Sequence, residues 1–484
     1  MSEQQIDNKN ATPPGSQPES PPDPPPGEAD ATPEVPEDLI PRIVEALDEG
    51  RNDDVWAMVE PLHYSEIADM LEWMSSGERE ELVGALGSKL DYDSLTELDE
   101  TVREEVIGYL GIENMVQAVA ELDSDDAVEL FRDLDAEDQR ELLEAVAPED
   151  RAYIEEALSF PEDSAGRLMQ RELVWVPDGW NVGQTIDYCR ASADEDDETA
   201  ELPETFYDIY VVDAAHKPVG HVPLSLLLRT KRQVSMKDLM NTDMHVMDAL
   251  TDQEDVAHAF RQRDLVSAPV TDAAGRLVGV ITIDDVVDVI DEEHEEDMML
   301  LGGVSEGDLY DATLDTTRSR FTWLLVNLGT AVLASLVIGL FEATLEQIVA
   351  LAVLMPIVAS MGGNAGTQTL TVAVRGLATK ELSSTNAMRV MLKEVLVGVI
   401  NGVLFAVIAG VVAWVWFDSL AIGGVIAVAM VVNLVVAALA GTSIPILLER
   451  WGIDPAIASS VFLTTVTDIV GFFAFLGLAA VVLM

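Results

Sequence analysis

The chain carries the run Pro356-Ile-Val-Ala-Ser-Met-Gly362-Gly363-Asn364-Ala-Gly366-Thr367-Gln368 in the middle of a long apolar segment. Proline and glycine disfavour helical backbone, so this run is expected to interrupt a helix. In a membrane, irregular backbone is tolerated only where protein or a water-filled cavity satisfies its polar groups. Asn364 and Gln368 favour a polar lining of such a cavity. Alternatively, the glycines permit close packing between membrane helices.

Five apolar segments end the sequence, and each reaches the ~20 residues that a membrane-spanning helix needs. If the chain crosses the membrane five times, all seven basic residues from Arg318 onward fall on the side of the N-terminal region. The outer loops contain acidic residues but no Lys or Arg, which satisfies the positive-inside rule. We therefore expect a multi-pass protein of the inner or plasma membrane, with a cytosolic N-terminus and an external C-terminus. The segments are 321–340, 348–377, 395–417, 420–448 and 455–484.

Asp468 lies inside the last apolar segment, in Thr464-Thr-Val-Thr-Asp-Ile-Val-Gly471. It follows Pro455 by 13 residues, or ~20 Å along a helix, which places it deep in the hydrocarbon layer. A carboxylate there costs at least ~2.5–3.5 kcal/mol unless it faces water, a partner or an ion, so Asp468 is a candidate ion-binding residue. The other interpretation is a protonated or hydrogen-bonded structural residue. Thr464 lies one turn earlier on the same face and adds a hydroxyl.

These oxygen-bearing side chains suit a metal ion that keeps its hydration shell. Mg²⁺ dehydrates reluctantly and demands octahedral geometry, so a pathway for it offers carboxylates and hydroxyls to its bound water. One Asp468 supplies one negative charge, and two copies around an axis supply two, which matches a divalent ion. The sequence therefore favours a homodimeric pore.

The negative charge is concentrated before the apolar segments. The net charge is −60, and 79 of the 87 acidic residues precede Arg318. Such a surface repels nucleic acid, whose binding requires clustered Lys and Arg, so no nucleic-acid partner is expected. It attracts cations, although adaptation to high salt also explains an acidic surface. Cys189 is the only cysteine in the sequence, which excludes an intrachain disulfide and fits a reducing cytosol.

Composition and periodicity divide the N-terminal part. Residues 1–37 are rich in Pro, Asp and Glu and lack an apolar segment, which predicts a disordered tail. Over residues 38–168 apolar residues recur at helical spacing, which predicts an all-α domain. The runs Asp213-Ala-Ala-His-Lys-Pro-Val-Gly220 and Asp272-Ala-Ala-Gly-Arg-Leu-Val-Gly279 align at an offset of 59 residues. One α/β unit therefore occurs twice within residues 169–290.

The two α/β units resemble a tandem CBS pair, a regulatory module that often binds adenine nucleotides. The second copy keeps Thr282 and Asp285, where the CBS pattern places a hydroxyl and a carboxylate near the phosphate and ribose. The first copy has Pro223 and Leu226 at the matching positions, so we expect one site, for ATP or a related adenine nucleotide. In the alternative interpretation, Thr282 and Asp285 cap the following helix.

Residues 288–297 read Asp-Val-Ile-Asp-Glu-Glu-His-Glu-Glu-Asp and lead into a connecting helix predicted over 291–317, ahead of a membrane domain at 318–484. Like charges four residues apart on a helix each destabilise it by ~0.2–0.5 kcal/mol when nothing compensates them. Charge runs usually form a solvated face, but such faces interleave Lys or Arg, and this run contains neither. The pattern therefore indicates a helix that binds cations.

Taken together, these parts resemble the MgtE family of magnesium channels. The resemblance covers nearly the whole chain after residue 38 and includes the spacing from Asp454 to Asp468. It implies a membrane homodimer that conducts Mg²⁺ between its protomers, with Asp468 binding the hydrated ion and Asp454 near the cytosolic mouth. It also implies that the acidic helix acts as a plug that cytosolic Mg²⁺ closes. One departure is Ser460, where some relatives carry Asn.

The same resemblance implies a set of regulatory Mg²⁺-binding carboxylates in the N-terminal half. The matching positions are Asp125, Asp252, Glu254, Asp264, Asp285, Asp288, Glu293, Glu296 and Asp297.

Three other interpretations remain at this stage. A Co²⁺, Ni²⁺ or Mn²⁺ transporter would also use oxygen ligands, although the apolar segments contain no Cys or His cluster for a soft metal. An intramembrane aspartyl protease needs two adjacent carboxylates, whereas Asp454 and Asp468 are 14 residues, or ~21 Å, apart on one helix. A membrane-anchored nucleotide sensor does not require a buried Asp468. We therefore expect a multi-domain transport protein and not an enzyme.

Overall fold

The computed structural model describes residues 35–36, 38–132, 134, 136–191, 202–203, 205–304, 310 and 313–484. Most of the tail predicted at 1–37 lies outside these ranges, as do residues 305–309 and 311–312 of the predicted connecting helix. Val35, which the tail prediction includes, is described and is buried against the first helical domain.

The first domain is all-α over its described residues. Its helices surround one core in which Ile43, Leu71, Phe131 and Ile154 are fully buried. One helix begins at Pro148, where a missing backbone N–H is harmless because the first turn leaves N–H groups unpaired. The helices are α1 Leu39–Asp48, α2 Asn52–Val59, α3 Tyr64–Trp73, α4 Ser76–Leu86, α5 Glu100–Glu121, α6 Ser124–Arg132, α7 Asp138–Ala145 and α8 Pro148–Ala157, with 3₁₀ helices at Gly87–Lys89 and Tyr92–Leu95.

The repeated sequence folds into two three-stranded sheets of the same topology. In each sheet the first strand pairs parallel with the second, and the second pairs antiparallel with the third. The strands are β1 Trp175–Pro177, β2 Asp208–Val212, β3 Pro218–Pro223, β4 Met247–Asp248, β5 Ser267–Thr271 and β6 Leu277–Thr282. The accompanying helices are α9 Ala165–Leu168, α10 Val182–Ala191, α11 Leu224–Arg229, α12 Met236–Leu239 and α13 Gln253–Arg263.

The turns of the two repeats confirm the predicted offset of 59 residues. Asp213 and Asp272 occupy equivalent positions, and one carboxylate oxygen of each accepts two backbone hydrogen bonds across its turn. Each turn also needs one residue with left-handed backbone, which is His216 with φ +60° in the first repeat and Gly275 with φ +74° in the second. The two copies are therefore one unit in structure as well as in sequence.

A 20-residue helix, α14 (Ile283–Gly302), follows β6 directly. It ends before Gly303, whose φ of +73° is the left-handed conformation that glycine adopts at helix ends. The helix thus begins inside the predicted repeat pair and not at the expected residue 291. The acidic run at 288–297 consequently lies in the middle of one continuous helix.

The last part of the described chain contains five helices long and apolar enough to cross a membrane, which confirms the prediction from hydropathy. They are α15 Thr313–Gly339, α17 Ala350–Ala378, α18 Ala387–Phe417, α19 Leu420–Arg450 and α20 Pro455–Leu483, with the short α16 Glu342–Gln347 between the first two. Helix α19 packs against α17, α18 and α20 and forms the centre of the bundle.

The run from Pro356 to Gln368 does not interrupt its helix. Helix α17 is continuous from Ala350 to Ala378 with Pro356 inside it, so the expectation of irregular backbone is wrong. Gly362 and Gly366 are buried against neighbouring helices. This packing outweighs a helix propensity ~1 kcal/mol below that of alanine for each glycine, and unpaired backbone groups in a membrane would cost several kcal/mol more. The alternative interpretation, close packing through glycine, is correct for these two residues.

Candidate ion pathway and acidic surface

Helix α17 exposes a row of polar side chains, which we call the polar stripe. Its members are Ser360, Asn364, Thr367, Gln368 and Thr371, and all of them are exposed in the protomer. Their spacing of three or four residues places them on one helix face. The hydroxyls of Thr367 and Thr371 bond only to carbonyl groups of their own helix, at 3.0 Å each. A polar face of this kind suits contact with water or a partner better than contact with lipid.

Helix α20 contributes Asp468 and Thr464. Asp468 is half-buried, and no described residue donates a hydrogen bond to its carboxylate. The exposed Thr464 hydroxyl bonds to the carbonyl oxygens of Ser460 and Val461 in its own helix, at 3.1 Å each. A hydrogen-bonded structural role for Asp468 therefore has no donor within the described protomer. The carboxylate remains available to an ion or to water.

The two helices meet at Gly366. A Cβ atom at this position would lie 2.8 Å from Cδ1 of Leu463, and that of Gly441 on α19 would lie 2.8 Å from the Gly366 carbonyl oxygen. Only glycine permits this approach. The contact brings the turn that carries Asn364 and Gln368 beside the turn that carries Thr464.

Asp454 is the N-cap residue that precedes α20, at the end of the membrane domain that faces α14. Its carboxylate accepts a hydrogen bond of 2.7 Å from the backbone N–H of Ala456, which caps the helix. Burial and then the negative charge of Asp454 raise the pKa of Asp297 on α14. The predicted mouth residue thus lies close to the predicted plug helix.

A first acidic group, the helix-start group, lies where the all-α domain meets α14. It consists of Asp125, Asp126, Asp285 and Asp288. Burial, followed by the charge of Asp285, raises the pKa of Asp125 well above its usual range. Burial, then Glu129 and Asp285, raises the pKa of Asp126 to about 8. Burial also raises the pKa values of Asp285 and Asp288 to about 6 each.

A second acidic group, the mouth group, lies where α13 and α14 meet the membrane domain. It consists of Asp252, Glu254, Glu293, Asp297 and Asp454. Partial burial and then Glu293 and Asp252 raise the pKa of Glu254 to about 7. Burial raises the pKa of Glu293, although Gln253 Nε2 donates a hydrogen bond of 2.8 Å to its carboxylate. Both groups therefore hold carboxyls whose charges repel one another.

Two of the predicted regulatory residues, Asp264 and Glu296, are members of neither group. Asp264 caps the C-terminal end of α13, whereas Asp252 caps its N-terminal end, so ~18 Å of helix separates them. Asp264 instead lines a cavity of about 430 Å³ with Phe260, Ile283 and other apolar residues. Glu296 is exposed on α14 and directly precedes Asp297 of the mouth group. Among the described residues, no three His, Cys, Asp or Glu side chains are arranged to hold a bare metal ion.

Thr282 and Asp285 form a reciprocal cap at the start of α14. The Thr282 hydroxyl donates a hydrogen bond of 2.8 Å to Asp285 Oδ2, and the Thr282 backbone N–H donates one of 3.2 Å to the same oxygen. The helix-capping alternative is therefore present in the structure. The nucleotide site at these residues stays a prediction.

Some residues of the acidic surface were not foreseen. Lys380, in the connection between α17 and α18, pairs with Asp255 on α13. It lines a cavity of about 570 Å³ together with Glu254, Asp297 and Asp454. Glu129 contributes negative charge to the helix-start group. The basic residue between two predicted spans could have drawn attention to Lys380, because such loops face the same side as the acidic half.

A membrane bundle with a polar stripe, a carboxylate that no described residue pairs and an adjoining acidic surface defines a multi-pass ion-transport protein. The family comparisons agree. Residues 355–478 match the MgtE family of divalent cation transporters, residues 62–163 match the MgtE intracellular N domain and residues 236–292 match the CBS domain. The chain belongs to the MgtE family of magnesium transporters, which are not enzymes.

Curated relatives extend over most of the chain. The magnesium transporter MgtE of Bacillus subtilis (strain 168) is 31% identical over 92% of this chain and 97% of its own length. That of Thermus thermophilus is 30% identical over 92% of this chain and 99% of its own length. A crystal structure of the cytosolic domain of the Mg²⁺ channel MgtE in complex with ATP is 29% identical and covers 52% of this chain and 99% of that chain, with a TM-score of 0.47.

Proposed function

We propose that the chain forms a homodimer in the inner or plasma membrane and conducts Mg²⁺ between its two protomers. The observation that carries this proposal is Asp468, a carboxylate deep in a membrane helix that no described residue pairs. The polar stripe on the neighbouring helix is exposed in the protomer, and a second copy would remove it from lipid. The relatives named as magnesium transporters support the identity of the ion.

The pathway residues contact the hydration shell of the Mg²⁺ ion. Two Asp468 carboxylates, one from each protomer, balance the charge of one divalent cation. Asn364, Gln368 and Thr464 offer amide and hydroxyl groups to its hydration shell, which suits an ion that dehydrates reluctantly. Asp454 and Asp297 attract cations at the cytosolic mouth through their negative charge.

The two acidic groups serve as the sensor of cytosolic Mg²⁺. Their pKa values are raised because the arrangement in this structure, which we take as the closed one, brings carboxyls together and removes them from water. A divalent cation offsets that repulsion and therefore binds the closed arrangement better than an open one. A ligand shifts an equilibrium through such unequal affinity, so high cytosolic Mg²⁺ closes the pathway. A hydrated ion requires no arrangement of three direct ligands.

Orientation follows from charge. The connections beside Arg318, Lys380 and Arg450 carry the basic residues of the membrane domain, which supports a cytosolic location for them and for the acidic half. Five spans then leave the C-terminus outside.

An adenine nucleotide such as ATP binds the CBS pair at Thr282 and Asp285 in this proposal. The support is the sequence pattern and the CBS match over residues 236–292. Titration calorimetry with ATP should show weaker binding by Thr282→Val than by the parent chain. Thr282→Ser is the control because it keeps the hydroxyl that caps α14. Equal ATP affinity in Thr282→Val and the parent would remove Thr282 from the site.

The transport proposal is tested by Mg²⁺ entry into vesicles that contain the purified protein and a magnesium dye. Entry should require the protein and saturate with Mg²⁺. Co²⁺, Ni²⁺ or Mn²⁺ at the same concentration as Mg²⁺ should slow this entry only slightly. Stronger uptake of one of those ions than of Mg²⁺ would identify the chain as a transporter of that ion instead.

The dimer is tested by cross-linking. In a Cys189→Ser background, Gln368→Cys should form a disulfide between protomers on oxidation. Val415→Cys is the control, because Val415 is 75% exposed on α18, away from the proposed pathway. Cross-linking at Val415 but not at Gln368 would contradict a pathway between the α17 helices.

A further inference from the structure

Asn433 is a polar residue in the middle of the central membrane helix α19, and it is completely buried. Its Nδ2 donates a hydrogen bond of 2.8 Å to the carbonyl oxygen of Val358 on α17. Its Oδ1 is buried and has no hydrogen-bond partner among the described residues. An apolar side chain of similar size would fill this place without an unpaired oxygen. Filling space therefore does not explain an asparagine here.

The hydrogen bond depends on Gly362. Val358 and Gly362 are one helical turn apart, so a side chain at position 362 would stand in front of the Val358 carbonyl. A Cβ atom at Gly362 would lie 2.2 Å from Nδ2 of Asn433, a distance that two such atoms do not adopt. The glycine thus gives the Asn433 amide access to the backbone of α17.

Gly471 of α20 lies against the same amide. A Cβ atom at Gly471 would lie 2.8 Å from Nδ2 and 3.1 Å from Oδ1 of Asn433. The Asn433 side chain is therefore inserted between a glycine of α17 and a glycine of α20. Helices that meet through glycine lie close together, and a single group inserted between them fixes their separation.

These two glycines lie next to the pathway residues in the chain. Gly362 precedes Asn364 by two residues, and Gly471 follows Asp468 by three. A change in the contact of Asn433 with either glycine consequently moves Asn364 relative to Asp468. A pathway that discriminates ions by their hydrated size depends on that separation.

We propose that Asn433 is a positioning residue that sets the separation of α17 and α20 and thereby the ion selectivity of the pathway. The inference rests on the proposed conduction of Mg²⁺. Asn433 does not touch the ion. It acts through the hydrogen bond to Val358 and the contacts with Gly362 and Gly471.

The first test compares Asn433→Leu with Thr442→Val. Thr442 lies on the same helix and is also completely buried, but its hydroxyl bonds at 2.9 Å to Ala438 of its own helix. We measure the ratio of Mg²⁺ to Mn²⁺ entry in vesicles, together with thermal unfolding of the purified protein. A purely structural residue would change the amount of folded protein and leave the ratio constant. We expect Asn433→Leu to change the ratio by about fivefold or more and Thr442→Val to leave it within about twofold.

The second test is a double-mutant cycle with Gly362→Ala. Alone, this change should lower the thermal unfolding temperature and the Mg²⁺ entry rate, because the new methyl group overlaps the Asn433 amide. In an Asn433→Ala background the methyl group has room, so the further effect of Gly362→Ala should be small. Gly424→Ala on α19 is the control, since a Cβ atom there meets nothing within 4 Å. Additive effects of the two changes would overturn the insertion of Asn433 between the helices.

The outcomes separate the two proposals. Parent protein without Mg²⁺ entry overturns the proposed function and with it the selectivity role of Asn433. Parent entry with an unchanged ion ratio in Asn433→Leu overturns this inference and leaves the proposed function intact. A changed ratio together with coupling between Gly362 and Asn433 supports the inference.

Discussion

Lys380 pairs with Asp255, and this ion pair connects the α17–α18 connection of the membrane domain to helix α13 of the CBS pair. The ammonium group also lowers the pKa of Glu254, against the larger effects of burial and of Glu293. A cation fixed to the membrane domain therefore occupies part of the acidic surface where Mg²⁺ is proposed to bind. It supplies charge that the mouth group would otherwise take from solution.

Lys380→Gln should raise the cytosolic Mg²⁺ concentration needed for half-closure by several-fold, because the closed arrangement loses the ion pair with Asp255 and is destabilised by one more uncompensated negative charge. Mg²⁺ entry into vesicles with Mg²⁺ varied on the cytosolic side measures this concentration. Lys237→Gln is the matched control, since Lys237 forms an exposed pair of 3.8 Å with Asp178 away from the mouth group. A half-closure concentration that is the same in both variants would remove Lys380 from regulation.

Asp468→Ala and Asp468→Asn should each lower Mg²⁺ entry at least about tenfold while the protein remains folded and dimeric. The reason is that the carboxylate supplies charge to the ion and pairs with no described group of the protomer, so its loss leaves no broken contact. Asparagine keeps the size and removes only the charge. Size-exclusion chromatography checks the dimer. Parental entry and selectivity in both variants would disprove the pathway assignment.

The acidic half should resist proteolysis better at low pH than at high pH when Mg²⁺ is absent. The pKa values of Glu254 and Asp126 are about 7 and about 8, above their usual values of 4.5 and 3.8, so the closed arrangement binds more protons than the unfolded chain does. Its stabilisation is complete below about pH 4 and is lost as pH rises through about 6 to 8. Millimolar Mg²⁺ should restore protection at pH 8.

Limited proteolysis of the full chain at several pH values, with and without Mg²⁺, measures this dependence. Asp126→Asn should flatten the pH profile near pH 8, because it removes a carboxyl that otherwise ionises there. Glu49→Gln, on the exposed surface of the all-α domain, should leave the profile as in the parent. An extent of cleavage that is the same at every pH and Mg²⁺ concentration would count against sensing by these groups.

Replacing Glu293, Glu296 and Asp297 together by Gln, Gln and Asn should abolish the Mg²⁺ dependence of closure. The substitution removes both the repulsion and the preference of the ion for the closed arrangement, whichever state the variant adopts. Entry measured over a range of cytosolic Mg²⁺ tests the expectation. If the triple variant closes over the parental concentration range, α14 has no gating role, although Asp468 can still mark the pathway.

Features with a local physical cause were predictable from the sequence. The burial cost of a carboxylate in an apolar segment singles out Asp468, and the offset between Asp213 and Asp272 indicates the repeated unit. Asn433 carries the same signal as Asp468, a polar residue within an apolar segment, but its hydrogen-bond partner Val358 lies 75 residues away in the sequence.

Features that depend on contacts between distant residues were not predictable. The continuous backbone through Gly362 and Gly366 results from packing against α19 and α20, which local propensity does not include. The pair between Lys380 and Asp255 joins two domains that are far apart in the sequence. Asp264 matched the family pattern, yet it lies at the opposite end of α13 from Asp252.

Helix α14 connects the second sheet to the membrane bundle without a break. Its first residue follows β6 directly, and near its other end Leu300 and Leu301 pack beside Leu370 and Leu463 of the membrane bundle. The helix has no break over its 20 residues, so a rotation of the sheet at its first residue would carry the whole ~30 Å of helix as one rigid body. If α14 tilts by about 5° about its first residue, its far end moves by about 2.5 Å, close to the radius of a helix backbone. A small rotation of the sheet would therefore produce a larger displacement where α14 contacts α17 and α20.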